Sequence, residues 1–523
     1  MTRSSLPPNL PVPVPFNRRG AGLLLHPTSL PQGHGSGDIG PAAHQFVSFL
    51  ADAGQRYWQM LPICPPGHGY SPYDSPSSFA ISPTLLSIEY LVETGLLSCD
   101  ELPSPATIPA QRRADFEAAV KLKDIALKRA YARFVSATDQ TTHSDFEAFR
   151  HENREWLDDH ALFVALKDSK PGKCWTDWDD DIRDRKPHAI EHVRHELKDV
   201  IGLHEFTQFE LHRQWKRLKA RCRDSNVLLI GDVPIYVSHD SADVWANREV
   251  FCLANDGARE VVAGVPPDYF SSTGQLWGNP LYRWPVLKRK QFEWWIARLR
   301  TCLQRFDAVR LDHFIGFRRY WEVPATAKTA EQGRYVDVPG EKFFSKVLKE
   351  LGSLPFIAED LGVVTEEVTA LRNRFSLPGM KILQFAFDDP SGSDYLPHRY
   401  ESNTTVYTGT HDNDTSVGWF HASPPQDENG RNWHDGIRAR VRRCVDGDIE
   451  PIHWKLIKLA ISSVAMTAIV PVQDLLGLGS EARMNTPGTT EGNWSFRLLD
   501  NELSSDIASR LRSMCETYER LGA

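Results

Sequence analysis

Short apolar runs recur along this chain, separated by longer amphipathic stretches. The runs lie at residues 56–63, 227–237, Ala308–Leu311, Phe356–Ala358, 380–387, 405–407 and 466–472. Each is too short, too β-branched or too Pro-punctuated for a helix, so each predicts a buried strand. Between them the period changes. Leu211, Trp215 and Leu218 recur at i, i+4 and i+7, predicting one buried face of a helix that ends before Val227. Strands alternating with helices are the rhythm of a parallel sheet covered by helices. Residues 111–170 are charged and helix-prone, predicting a mainly helical insertion, bounded at 92–200. The Pro/Gly-rich stretch 65–73 forbids regular structure and suits a binding loop. Thr365, followed by Glu366 and Glu367, predicts a helix N-terminus.

At 523 residues the chain is too long for one small core. An α/β barrel with insertions absorbs it as one catalytic unit, 21–523, behind a flexible Pro-rich leader, 1–20. The net charge of −8 comes from dispersed acids with no long basic run, which argues against nucleic acid or an anionic membrane as partner. No apolar stretch has the length of a signal core or a membrane span. The eight cysteines are scattered without a C-x-x-C pair, as in a reduced, cytoplasmic protein. His26, His34, His44 and His68 lack metal-ligand spacing, so no metal is expected. Fifteen Trp and fourteen Tyr exceed what core filling requires and suit a site that stacks on sugar faces.

Three of the predicted strands lead into acids: Asp312, Glu359 and Asp412, read here as the carboxyl ends of three successive strands. A parallel barrel builds its active site at that face, and cleavage of a glycosidic bond needs carboxylates held in different protonation states.

Ten motifs then occur in one order: Leu24-Leu-His-Pro-Thr-Ser-Leu-Pro31, Trp58-Gln-Met-Leu-Pro62, Ser71-Pro-Tyr73, Gly231-Asp-Val-Pro234, Val262-Ala-Gly-Val-Pro-Pro-Asp-Tyr-Phe-Ser271, Gly274-Gln-Leu-Trp-Gly278, Arg310-Leu-Asp-His313, Ala358-Glu-Asp-Leu-Gly362, Gly409-Thr-His-Asp-Asn413 and Arg483-Met-Asn-Thr-Pro-Gly488. With them the chain resembles the 4-α-glucanotransferases (amylomaltase or disproportionating enzymes), relatives of the α-amylases. The resemblance implies a (β/α)8 TIM barrel with helical insertions around the C-terminal face of the strands. It also implies a retaining, two-step transfer of a glycosyl unit from an α-1,4-glucan to the 4-hydroxyl of glucose or a maltooligosaccharide, without a cofactor.

Within that chemistry Asp312, beside the permanent cation Arg310, suits the ionised nucleophile. Glu359, on an apolar strand, suits the acid/base that must begin protonated. The resemblance gives Asp412 the distorted ring and lets His411 grip the same sugar. It assigns Tyr73, Asp268, Gln275, Trp277, Arg310, His313 and Asn485 to substrate binding at the donor and acceptor subsites. Asp232 reads equally as a barrel ion-pair residue or, by resemblance, a glucose-binding acid. Asp307 and Asp360 read as structural. The stretch 333–340, within a loop expected at 326–345, resembles the family's mobile cover over the cleft, with glycines as hinges. Departures from the family are Asp74 after Tyr73, Ile81-Ser82 before Pro83, and Phe420 and Phe496 where Trp is frequent; the catalytic acids are untouched. Two alternatives remain from sequence: an α-glucan hydrolase, differing only in whether water takes the intermediate, and a catalytically dead glucan-binding protein. The chain is expected to be a monomer or weak homo-oligomer.

Overall fold

The computed structural model describes residues 12–31, 33–101, 112–137, 140–267, 271–387, 393–422, 433–445 and 451–522. Among them are twelve strands: β1 (Gly20–Leu24), β2 (Tyr57–Gln59), β3 (Leu228–Val233), β4 (Val261–Val265), β5 (Gln275–Pro280), β6 (Ala308–Leu311), β7 (Arg319–Pro324), β8 (Arg334–Asp337), β9 (Phe356–Ala358), β10 (Gly379–Ile382), β11 (Thr404–Tyr407) and β12 (Thr467–Pro471). Eight close a parallel barrel in the order β1-β12-β11-β10-β9-β6-β3-β2. The fold is the expected (β/α)8 barrel. Its strands are almost wholly buried because helices cover the outside and side chains fill the inside. β4, β5, β7 and β8 form a separate antiparallel sheet, ordered β5-β4-β7-β8, carried by the connections that follow β3 and β6.

All seven runs expected as strands supply barrel strands, with bounds moved by a few residues. β1 is the one not predicted, because its Gly-Ala-Gly start weakens the apolar signal. Those glycines answer to packing: a Cβ on Gly22 would collide with the backbone of Tyr57 on the neighbouring β2. The seam between β1 and β12 is sealed from the C-terminal side. Arg520, fully buried, donates to the carbonyls of Gly20 (3.0 Å), Met466, Ile461, Ser463 and Ala465, so its five N–H donors all reach backbone.

Between β2 and β3 lie the helices Phe116–Ser136, Gln140–Glu152, Arg154–Ser169, Pro187–Glu196 and Lys198–Asp224. The last buries Leu211, Trp215 and Leu218 against the barrel, as their spacing requires. Phe134, Phe146, Phe206 and Phe209 join these helices, with ring centroids 4.9–5.5 Å apart. Thr365 does occupy the N-cap of Glu366–Arg374, but with its backbone only, since the side chain makes no cap bond.

Three expectations need correction. Asp312, Glu359 and Asp412 follow β6, β9 and β11; β10 stands between the last two, so the strands are not successive. Of the leader, residues 1–11 lie outside the described residues. Beyond them the chain is packed, with Phe16 fully buried, Pro15 O accepting from the Tyr57 hydroxyl (2.5 Å) and Arg19 donating to Ser463 O. Finally, 326–345 holds β8 and the start of helix Gly340–Leu351 rather than a free loop. β8 is fixed to β7 by the Arg334–Glu322 ion pair and by Tyr335 against the Trp321 ring at 4.9 Å. Its flanking glycines permit close approach rather than hinging: a Cβ on Gly333 would strike the Trp321 indole, and one on Gly340 the Phe317 carbonyl.

Gly340→Ala should therefore lower stability by about 1–3 kcal/mol through overpacking against backbone that cannot yield. A thermal unfolding midpoint unchanged from the parent protein would restore the hinge reading.

Candidate active site

Register across the barrel fixes the site. Asp232 on β3 stands opposite Arg310 on β6, and Asp312, two residues on, projects to the same side as Arg310. Arg310 Nη1 lies 2.9 and 2.8 Å from the two Asp232 oxygens and 3.0 Å from Asp312 Oδ1, so one buried guanidinium bridges two carboxylates. The Asp232 side chain is 1 % exposed and that of Asp312 27 %, so the acid that reaches the cleft is Asp312. Burial pushes the Asp232 carboxyl upward, and the Arg310 charge pulls against it. Asp232 also accepts the Tyr73 hydroxyl at 2.7 Å. Burial and that carboxylate hold the phenol well above its usual range, so it stays a donor.

After β6 the chain turns sharply. His313 adopts a left-handed conformation, φ 48°, and its N–H donates to Glu359 Oε2 at 2.6 Å. Leu361 N–H meets the other Glu359 oxygen at 3.2 Å. Glu359 is buried at the end of apolar β9, and burial pushes its carboxyl up to about 8; Arg310 and the two N–H groups oppose the shift and Asp312 adds to it. Asp312 and Glu359 thus stand in unlike surroundings: Asp312 is salt-bridged and part-exposed, whereas Glu359 is dry and protonated at neutral pH. The His313 imidazole is lowered to about 4, chiefly by burial, and is neutral.

Asp412 arrives on the loop after β11. Asn485 donates to its Oδ1 at 2.6 Å, Arg483 to its carbonyl at 2.6 Å, and His411 Nε2 lies 3.4 Å from Oδ2. The Tyr73 ring stacks on His411 at 5.1 Å, which ties the 65–73 loop to the Asp412 loop. On the other side, Trp277 on β5 stands edge-on to His313 at 4.9 Å and receives a fixed orientation from Gln275, whose Oε1 accepts its indole N–H. Trp277 is 38 % exposed, unusual for an indole unless its face is needed.

The structure thus brings Tyr73, Asp232, Arg310, Asp312, His313, Glu359, His411, Asp412 and Asn485 into one linked set, with Gln275 and Trp277 beside it. Asp268 lies outside the described residues. Asp307 accepts Leu229 N–H, and Asp360 pairs with Arg372 and accepts Met380 N–H, so both hold strands in place. Phe420 and Phe496 are core residues at 3 % exposure, where an indole N–H would have needed a partner. Asp74 serves its own loop, accepting His68 N–H. Sequence reasoning missed Trp494, whose ring lies 5.7 Å from Tyr73 and 6.0 Å from His411, and the positioning role of Arg483. Arg483 stood within a quoted motif; Trp494 gave no signal beyond its type. Among the described residues no group of three or more His, Cys, Asp or Glu side chains is arranged to hold a metal.

The raised Glu359 carboxyl has a stability signature. Between about 4.5, its ordinary value, and about 8, the folded chain binds a proton that the unfolded chain does not. Stability contributed by this group is therefore lost as pH rises through that window, with a slope of at most about 1.4 kcal/mol per pH unit. Glu359→Gln should remove the loss. Urea unfolding of both proteins from pH 5 to 8 should show the variant gaining on the parent as pH increases; parallel curves would mean that the carboxyl is not raised.

The 4-alpha-glucanotransferase family profile matches residues 25–502. The 4-alpha-glucanotransferase of Thermus thermophilus is 48 % identical over 508 residues, covering 96 % of this chain and 99 % of the relative. That of Synechocystis is 48 % identical over 511 residues, covering 97 % and 99 %. Among solved structures, the amylomaltase from Streptococcus agalactiae in complex with acarbose superposes with a TM-score of 0.88 at 36 % identity, covering 96 % of this chain and all of that one. With the barrel and its paired carboxylates, these likenesses make the chain a member of the 4-alpha-glucanotransferase family.

Proposed function

We propose that Asp312 is the nucleophile and Glu359 the acid/base of a retaining glucan transfer. The observation that carries this is the contrast between them: Arg310 keeps Asp312 beside a fixed positive charge, while burial keeps a proton on Glu359 up to about 8. Asp312 attacks the anomeric carbon as Glu359 gives its proton to the departing glucan oxygen. The Glu359 carboxylate then takes the proton of an incoming 4-hydroxyl, which displaces Asp312 from the opposite direction and restores the α configuration. Asp412, aimed by Asn485 and Arg483, bonds the ring hydroxyls as charge grows at the anomeric carbon. Tyr73, Asp232, His313 and His411 line the donor ring. Trp277, Gln275 and, beyond the described residues, Asp268 belong to the subsites around it.

The donor is an α-1,4-glucan and the acceptor glucose or a maltooligosaccharide; the acarbose bound by the S. agalactiae relative, an α-glucan mimic, supports that substrate class. Eight cysteines without a disulfide among them support a reducing, cytoplasmic setting. The chain acts as a monomer or weak homo-oligomer, which sedimentation velocity tests.

Incubation with maltotriose should give glucose plus longer maltodextrins; glucose and maltose alone would mean hydrolysis. Proton NMR of the first products should show the α anomer, and a β product would end the two-step path. Asp312→Ala should lose on the order of 10⁴-fold or more in turnover with the fold intact. Glu359→Gln should slow glucan turnover by about 10²–10⁴-fold but α-glucosyl fluoride much less, because fluoride leaves without a proton. Equal losses on both donors would remove Glu359 from the acid role.

A further inference from the structure

The loop that carries His411 and Asp412 leaves the barrel at Thr408, directly after β11, and re-enters regular structure at Ser416, the first residue of helix Ser416–His421. Both ends meet one carboxylate. Asp474, on the short helix Val472–Leu475 that follows β12, accepts the Thr408 hydroxyl on Oδ2 at 2.5 Å and the Ser416 N–H on Oδ1 at 2.6 Å. All three residues are buried, Asp474 at 1 % exposure.

Packing alone does not call for a carboxylate there. Among the described residues Asp474 has no cationic partner, and the ionisable neighbour that acts on it is another acid, Asp414. Burial pushes its carboxyl upward, and the bonds from Ser416 and Thr408 oppose the shift. An acid buried on neutral donors alone costs stability that an apolar side chain of the same size would not. Nor is the loop held by close packing: a cavity of about 20 Å³ lies behind it, bordered by Gly409, His411, Asn413, Thr415 and Asp474. The loop takes its shape from hydrogen bonds. Gln384, after β10, donates to the Asp414 carbonyl (2.7 Å), Ser480 to the Asp414 side chain (2.7 Å), and the Thr410 hydroxyl to Asn413 Oδ1 (2.8 Å). Those bonds set the middle of the loop, and Asp474 sets where it starts and ends.

We infer that Asp474 is a positioning residue for glucan transfer, a clasp that fixes both ends of the 408–416 loop and so holds Asp412 against the donor ring. The inference deepens the role proposed for Asp412 and rests on it. Asn485 and Arg483 orient Asp412 locally. With the clasp open, the backbone that bears Asp412 shifts beneath them, and a misplacement of about 1 Å costs on the order of 10²-fold in rate. The loss falls on the step in which charge grows at the anomeric carbon, so it reads in kcat rather than in KM.

Asp474→Ala should lower kcat by about 10²-fold on maltotriose and on α-glucosyl fluoride alike, with KM moved by less than about threefold and the circular dichroism spectrum unchanged. Asp474→Asn, whose amide oxygen still meets the Ser416 N–H and whose NH2 can donate to the Thr408 oxygen, should recover to within about fivefold of the parent. In an Asp412→Asn background, Asp474→Ala should add less than about threefold, because the carboxylate it positions is already gone. Should Asp474→Ala fail to fold, Thr408→Val, which opens one end only, should lower kcat by about tenfold. Full activity in a folded Asp474→Ala or Thr408→Val protein, an Asn variant as slow as the Ala one, a rise in KM with kcat intact, or losses that simply multiply in the double variant would each overturn the clasp. Near-normal turnover of Asp412→Asn alone would instead end the reading of Asp412 on which the clasp rests.

Discussion

One guanidinium organises the catalytic face. Arg310 is held between Asp232 and Asp312 on adjacent strands; Arg310 and Asp232 are buried, and Asp312 opens to the cleft. Removing one member of such a buried set costs about 3–5 kcal/mol, because the others stay behind uncompensated. That penalty makes the register of β3 against β6 a condition of the chemistry: a slip by one residue would point the aspartates away from the cation. Tyr73 extends the same set to the loop after β2 and His411 carries it to the loop after β11. Side chains far apart in sequence therefore share one electrostatic origin.

The two acids proposed for catalysis show how a fold places similar groups in opposite surroundings. Asp312 stands at the mouth, with a cation beneath it and solvent above. Glu359 ends an apolar strand and receives backbone N–H groups from His313 and Leu361, which orient it without outweighing its desolvation. The left-handed turn at His313 makes this possible, since it swings that N–H across to β9 directly after Asp312. A strained residue beside the proposed reacting centre is where such a conformation is expected to persist.

Much of this was legible in the chain. Apolar runs bounded by turn residues marked seven of eight barrel strands because parallel strands are buried on both faces and leave little ambiguity. β1 escaped because its glycines serve the neighbouring tyrosine rather than the core. The place of the three candidate acids after strand ends could be read, whereas the connection of Asp232 to Asp312 through Arg310 could not, since strand order in the barrel is not written in local sequence. The four-stranded sheet was hidden for a related reason: β5 and β8 are polar and part-exposed, and 333–340 looks like a loop until Trp321 and Glu322 are seen beside it. Trp494 is an aromatic among fifteen, and only its place against Tyr73 and His411 distinguishes it.

The seam between β1 and β12 bears on how the molecule comes into being. During synthesis from the N-terminus, β1 emerges first among the barrel strands, and one of its edges stays unpaired until Thr467–Pro471 has been made. Arg520, which stitches Gly20 to the carbonyls before β12, comes later still. At about 5–20 residues per second, the ribosome leaves that edge open for tens of seconds. Closure is thus a late, long-range event, and the nascent barrel is most exposed to wrong pairing just before its final turn of helix is complete.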